Sequence, residues 1–379
     1  MKKLLCMLLA ALMVLTMASF AMAEEAASYK IAILTGTTSQ GEEEFTAAAK
    51  LAEENPGVVL HDTYPDNFSS EVETTISKLI AFASDPDVKA IIFVQAVQGA
   101  VSAFTQIRDS LGRDDILLIA GVPAEDPADI SAAADIVLAV DEIGCGYQVA
   151  DKAAEWGCDV IVHYSFARHL SYETIVAKRD AMRMTAEGYG IEFVERDCPD
   201  PTGDAGMSGA QAAVLEDVPK VMQEYAGKKV CFYCTNCGIQ VALQQAVLAA
   251  GDDAYYALPC CPSPFHGYQE AFGLDATYGD IEGAITNLAN FLNESGAAGR
   301  FSTWAIPVNM SMINASYEYA CAYAEGKIEK VDEAFLTECF SKAAGSEAIL
   351  GKYTNATGEE LDNYYLIQFS PIDFNDYIG

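Results

Sequence analysis

Three cysteines recur at every third position, Cys231, Cys234 and Cys237, and an adjacent pair, Cys260 and Cys261, follows. Thiolates at such spacing can hold zinc or an iron–sulfur cluster, or serve redox chemistry. A cluster run, however, needs a loop wrapped round the metal. Cys231 and Cys234 fall in an apolar, strand-like run, where residues three apart face opposite sides. Cys260 and Cys261 could lie near Cys237 at the end of the adjacent strand. The spacing therefore reads as small buried thiols. Cys231, Cys234 and Cys237 are kept as candidates for the rival class, a metal or redox protein or enzyme, and no other cofactor is expected. His61, His163, His169 and His266 show no HExxH spacing, and neither a nucleophile elbow nor a phosphate-binding loop is present. Asp197, Asp200 and Asp204 miss the EF-hand pattern. No catalytic constellation emerges, and the expectation is a protein that binds without reacting.

Binding sites need elements to position them. The 379 residues allow two or three domains, and 51% hydrophobic content provides a sizeable core. Lys and Arg number 22 against 55 Asp and Glu, a formal charge of −33. Such a surface repels phosphate backbones and anionic headgroups, which argues against nucleic acid and against a membrane surface. Residues 1–23 read as a signal peptide: Lys2-Lys3, an uncharged apolar run over 4–20, then Ala21-Met22-Ala23 before Glu24-Glu25. Export is expected, to the periplasm or the cell surface, after cleavage near Ala23. Ten cysteines remain beyond Cys6, and their spacing does not encode any pairing.

From residue 29 onward strands and helices alternate. Apolar runs at 29–34, 58–60, 88–94, 116–120 and 136–140 read as strands, with helical spacing at 42–54, 72–82 and 101–111. The run VKAIIFV at 88–94 suits a strand buried on both faces. The rhythm repeats through strands at 160–164, 191–194, 229–234, 255–258 and 302–306, with a last strand at 364–369. The fold class expected is α/β, with two doubly wound parallel-sheet lobes joined by several crossings. In such sheets ligands sit at the carboxyl ends of strands. That rule selects the loops 35–40, 95–98, 122–123, 165–168, 235–236 and 260–266, which two facing lobes would set on either side of one cleft.

Residues 140–192 carry more than this rhythm: an Asp at a strand end, an Ala-rich helix, Gly157, a β run, a polar loop, a helix with Lys178-Arg179, and Gly190-Ile191. This order resembles the type 1 periplasmic-binding fold, shared by sugar-binding proteins of ABC transporters and the effector domain of lac-repressor-like regulators. Residues 229–251 resemble that family's next unit, and 304–327 its final crossing. The resemblance implies lobes at 29–157 plus 308–330 and at 158–307 plus 331–379. It also implies a hinge that closes them on a guest. Asp141 matches an acid that in many members bonds ligand hydroxyls, and Asn236 matches a polar strand-end residue. Cys237 and Cys260-Cys261 stand where sugar binders commonly place acids, which argues against a sugar. No helix-turn-helix precedes the first strand, so a repressor role is not expected.

The ligand-binding candidates are Thr35, Thr37, Gln40, Gln95, Gln98, Asp141, Ser165, Phe166, Arg168, Asn236, Phe265 and, in the returning segment, Asn309. Their hydroxyls, amides and rings suit a small polar ligand, a sugar, nucleoside or small carboxylate. Each also has a structural reading: Asp141 and the threonines as helix caps, Phe166 and Phe265 as core, Arg168 as the partner of a nearby acid. A monomeric solute-binding protein that presents its ligand to an ABC-type permease or membrane sensor is the expectation.

Overall fold

The computed structural model describes residues 29–379, apart from 202, 276–279 and 356–357, and apart from the side chains of Ser39, Gln40 and Glu173. The expected signal segment lies outside the described residues.

Residues of alternating burial explain the first sheet. Strand β1 (Lys30–Thr35) sends Ile31 and Ile33 to one face and Ala32 and Leu34 to the other, and all four are fully buried. Helices must therefore cover both faces, as in parallel sheets generally. Helix α1 (Thr38–Glu54), β2 (Val59–Thr63), α2 (Val72–Ser84), β3 (Val88–Val94), α3 (Ala100–Asp109), β4 (Leu117–Gly121), α4 (Pro127–Ala133) and β5 (Ile136–Val140) complete the winding. β1 pairs in parallel with β2 and β3, then β3 with β4 and β4 with β5. Each fully buried Ile or Leu contributes about 1.5–3 kcal/mol relative to exposure.

The chain leaves this lobe after β5 through α5 (Glu142–Glu155), which Asp141 caps. The second lobe winds through β6 (Val160–Ser165), α6 (Glu173–Gly188), β7 (Glu192–Asp197), α7 (Gly206–Glu224), β8 (Val230–Cys234), α8 (Cys237–Ala250) and β9 (Ala254–Tyr256). Its parallel sheet has the order β7-β6-β8-β9. Val160, Val162, Phe232 and Cys234 pack on one face, Ile161, Cys231 and Tyr233 on the other. Short α9 (Tyr268–Phe272) and α10 (Ile281–Glu294) follow, and β10 (Ser302–Trp304) leads the chain back into the first lobe as α11 (Val308–Ala324).

The C-terminal segment departs from the expected division. The resemblance implies that residues 331–379 belong to the second lobe. Instead α12 (Glu333–Ala344) packs with α11, while β11 (Ala348–Thr354) and β12 (Glu360–Phe369) extend the first sheet to the order β11-β12-β5-β4-β3-β1-β2. Tyr365, Ile367 and Phe369 bury into the first lobe because β12 runs parallel to β5. Only residues 371–379 return to the second lobe, where β13 (Pro371–Asp373) pairs with β10 and Phe374 and Tyr377 pack on the core. Three crossings thus join the lobes. Among the described residues no helix is long and apolar enough to cross a membrane.

Candidate functional site

Parallel winding directs the carboxyl ends of β1, β3, β4 and β5 toward one edge of the first lobe. There the loops meet residues 261–266 of the second lobe and Asn309 at the start of α11. Between them lies a cleft of about 480 Å³, lined by Gly41, Glu42–Glu44, Gln95, Val122, Val140, Cys261, Pro262, Ser263, His266 and Asn309. Its size falls in the range of small-molecule sites.

Two strained residues shape its floor. Gln95 and Val122 directly follow β3 and β4 and hold φ of 53° and 46°. For a β-branched residue this is a true outlier, costing of order 1–3 kcal/mol. Backbone bonds hold both: Ala96 N–H donates to the Gly121 carbonyl at 2.9 Å, Val122 N–H to Leu138 at 2.7 Å and Ala124 N–H to Ala96 at 2.9 Å. The result aims the Gln95 amide at α1, where it donates to the Glu44 carboxylate.

Two consecutive acids on α1 face inward. Glu44 is 1% exposed and accepts from both Gln95 and Asn309. Burial raises its carboxyl above the ordinary range despite these donors. Gly41 makes the arrangement possible, because a Cβ there would occupy the space of the Glu44 carboxylate and the Gln95 amide. Glu43 spans the cleft and accepts from Ser263 Oγ at 2.7 Å, a side-chain hydrogen bond that joins the two lobes across it. Burial raises Glu43 to about 7, against the lowering pull of Ser263.

The second lobe contributes a thiol–imidazole cluster beside that contact. Cys237, Cys260, Cys261 and His266 bring one ligand atom each to within 4.8 Å of one another. The Cys237 and Cys261 sulfurs are 2.8 Å apart, and Cys260 Sγ is 3.5 Å from Cys237 Sγ. Hydrogen bonds from Cys260, Cys261 and His266 hold the Cys237 thiol well below its usual value. Its place as the first residue of α8 acts in the same direction. Burial pulls His266 down, but bonds to Cys237 and Cys261 outweigh it and lift the imidazole to about 11. This set of three sulfurs and one nitrogen is the one described group with the donor chemistry of a metal centre.

The expected ligand residues distribute unevenly around this cleft. Gln95 and Asn309 line it. Thr35 is buried, donates to the Gly36 carbonyl and lies 2.9 Å from His61 Nε2. Thr37 bonds Asp66, and Gln98 is exposed beyond the lining. The Gln40 side chain lies outside the described residues. Asp141 accepts from Gly144 N–H at 2.8 Å as the cap of α5, and burial raises its carboxyl. Asn236 likewise caps α8 through Gly238 N–H, while its amide lies 3.1 Å from His169 Nε2. Ser165 Oγ is 2.9 Å from Thr235 Oγ1, and His169 Nδ1 is 3.3 Å from that same hydroxyl. These second-lobe residues gather on one another, with the Phe166 ring 4.4 Å from His169. Phe166 and Phe265 are core. Arg168 forms a two-pronged pair with Asp200 at 2.6 and 2.9 Å.

Of the three metal candidates, only Cys237 joins the cluster. Cys231 and Cys234 lie on opposite faces of β8, where the two-residue period of a strand puts them. Sequence reasoning missed Glu43 and Glu44 because acids at helical spacing read as a solvated face. The available signal was Gly41, which sets three consecutive acids immediately after a strand-end loop.

Among solved structures, a candidate transcriptional regulator of Clostridium difficile 630 superposes with a TM-score of 0.83 at 19% identity, covering 92% of this chain and 99% of that one. An ABC transporter periplasmic solute-binding protein of Actinobacillus succinogenes 130z, solved with bound D-allose, gives 0.50 at 14% identity, over 92% and 99%. A sugar ABC transporter protein of Actinomyces odontolyticus ATCC 17982 gives 0.52 at 9%, over 80% and 86%. These likenesses show the fold, and it is the type 1 periplasmic-binding fold that the sequence resembles. Two uncharacterised proteins of Treponema pallidum (strain Nichols) are each 36% identical, over 182 and 178 residues, or 46% of this chain and 81% and 79% of theirs. The profile described as protein of unknown function (DUF3798) matches residues 29–302, and this chain belongs to that family.

Proposed function

We propose that this protein is an exported, non-catalytic solute-binding protein. Its lobes close on a small polar molecule and present it to a membrane permease or sensor. One observation carries the reading. Amide, hydroxyl and carboxylate groups from both lobes and from a crossing converge on a single cleft at the strand ends, through Gln95, Glu43, Glu44, Ser263 and Asn309. Affinity arises from burying the solute surface between the lobes and satisfying those groups. The inward acids of α1 offer oxygens that pair with hydroxyl and ammonium groups, so the solute is a neutral hydroxyl-bearing or cationic molecule rather than a carboxylate. The bound D-allose of the Actinobacillus protein illustrates the hydroxyl-rich class on this fold. Opening at the three crossings breaks the Glu43–Ser263 bond and frees the guest.

A thermal-shift screen over sugars, nucleosides, polyamines, amino acids and small carboxylates tests the reading. A solute at 100 times its dissociation constant adds about 2.7 kcal/mol. Stabilisation by carboxylates alone, or by nothing in these classes, would contradict it.

A further inference from the structure

The loop that closes the cleft from the second lobe is built more rigidly than a binding loop alone requires. It reads Pro259-Cys260-Cys261-Pro262-Ser263-Pro264-Phe265-His266, with three prolines restricting its backbone. Buried Gln240 on α8 grips both ends: its Oε1 accepts from Cys260 N–H at 2.5 Å, and its amide donates to the His266 carbonyl at 2.8 Å. Trp304 Nε1–H donates to Pro259 at 3.1 Å, Thr303 to Pro264 at 3.1 Å and Val308 N–H to Pro262 at 3.0 Å. Gly267, at φ 78°, leaves room for the Gln240 and Gln244 side chains, which a Cβ would press. Every one of these bonds fixes the backbone around Cys260, Cys261 and His266. Supporting bonds of this kind orient ligands around metal ions.

The geometry points to a metal centre: we infer that Cys237, Cys260, Cys261 and His266 bind a divalent cation of the zinc class. The four donor atoms already lie within 4.8 Å of one another, and they come from two segments that leave the same edge of the parallel pair β8–β9. Sulfurs 2.8 Å apart crowd each other. A tetrahedral ion with bonds of about 2.3 Å would spread them to roughly 3.8 Å. Three soft thiolates with one imidazole select zinc over calcium or magnesium. Each cysteine ligates as thiolate and the histidine as neutral imidazole, so loading releases the protons these groups carried. Four protein ligands saturate the ion and leave no open position for water, which makes the centre architectural. It ties the first residue of α8 to the loop carrying Ser263, the residue that meets Glu43 across the cleft. This inference goes beyond solute binding and does not depend on it.

Cobalt is the probe. The whole protein is reduced, stripped with a chelator and titrated anaerobically with Co²⁺, with absorbance read throughout. Thiolate-to-cobalt charge-transfer bands with tetrahedral d–d bands, saturating at about one equivalent and bleached by Zn²⁺, are expected. Cys237→Ser and Cys261→Ser should each weaken cobalt binding at least ~10-fold. Cys321→Ser, in the first lobe, should leave it unchanged. The wild-type titration requires no variant to fold. Absence of the charge-transfer band from reduced wild type would overturn the inference, as would a band that survives both substitutions. Recovery of a Cys237–Cys261 disulfide with no metal from protein purified without oxidation would also overturn it. The solute screen reads a different property, so either result stands when the other fails.

Discussion

Glu43→Gln is the sharpest perturbation available at the cleft. The Glu43 carboxyl is raised from 4.5 to about 7, first by burial, and it faces Ser263, Glu44, Glu42 and His266. A carboxyl raised on folding keeps its proton where the unfolded chain has lost it. Its contribution is therefore fully favourable below about 4.5 and lost as pH rises through 7. The whole shift corresponds to about 3 kcal/mol, of which about 2 kcal/mol falls between about pH 5.5 and about pH 7.5. A glutamine keeps an oxygen for Ser263 Oγ–H and carries no charge, so the variant lacks this slope. Urea unfolding of wild type and variant under reducing conditions, at both pH values, gives the double difference. Groups remote from Glu43 cancel, while His266 and Glu44, which it faces, leave a smaller residual. Wild type should lose about 2 kcal/mol more than Glu43→Gln as pH rises. Equal pH dependence in the two proteins would refute the burial of an ionisable Glu43 between the lobes.

Gly41→Ala should push the Glu44 carboxylate off Gln95 and weaken the solute selected by the screen about tenfold, about 1.4 kcal/mol by calorimetry, with urea stability within about 1 kcal/mol of wild type. Gly146→Val places its Cβ against the Lys178 carbonyl where α5 meets α6, and urea unfolding should show a loss of about 1–3 kcal/mol. Arg168→Ala removes an exposed pair with Asp200, and neither urea stability nor the solute dissociation constant should change measurably; a clear loss of affinity would restore Arg168 to the site.

The architecture was legible where a residue's surroundings are written in its neighbours. A run such as VKAIIFV can only be buried on both faces, and strand-end geometry then selected the loops holding Gln95 and Cys261–His266. Two kinds of information were not local. β12 finds its partner β5 more than 200 residues away, and nothing in its own apolar pattern distinguishes one sheet edge from another. Glu43 and Glu44 are buried by a loop from the other lobe and by α11, so their helix looks amphipathic with an acidic outer face. The cysteines illustrate both sides. The visible spacing Cys231-x-x-Cys234-x-x-Cys237 is dispersed by the strand period. The true convergence with Cys260, Cys261 and His266 follows from adjacent parallel strands ending at one edge. Asp141 and Asn236, singled out by family resemblance, serve as caps.

Calorimetric titration of the screened solute into wild type and into Gln95→Ala/Asn309→Ala tests the cleft itself. These two amides reach it from the first lobe and from the returning helix, and both bond Glu44. Losing both should weaken binding by about 1.4–2.8 kcal/mol, roughly 10- to 100-fold, while the fold persists. An unchanged dissociation constant in the double variant would place the guest elsewhere and end the account of a solute held between the lobes.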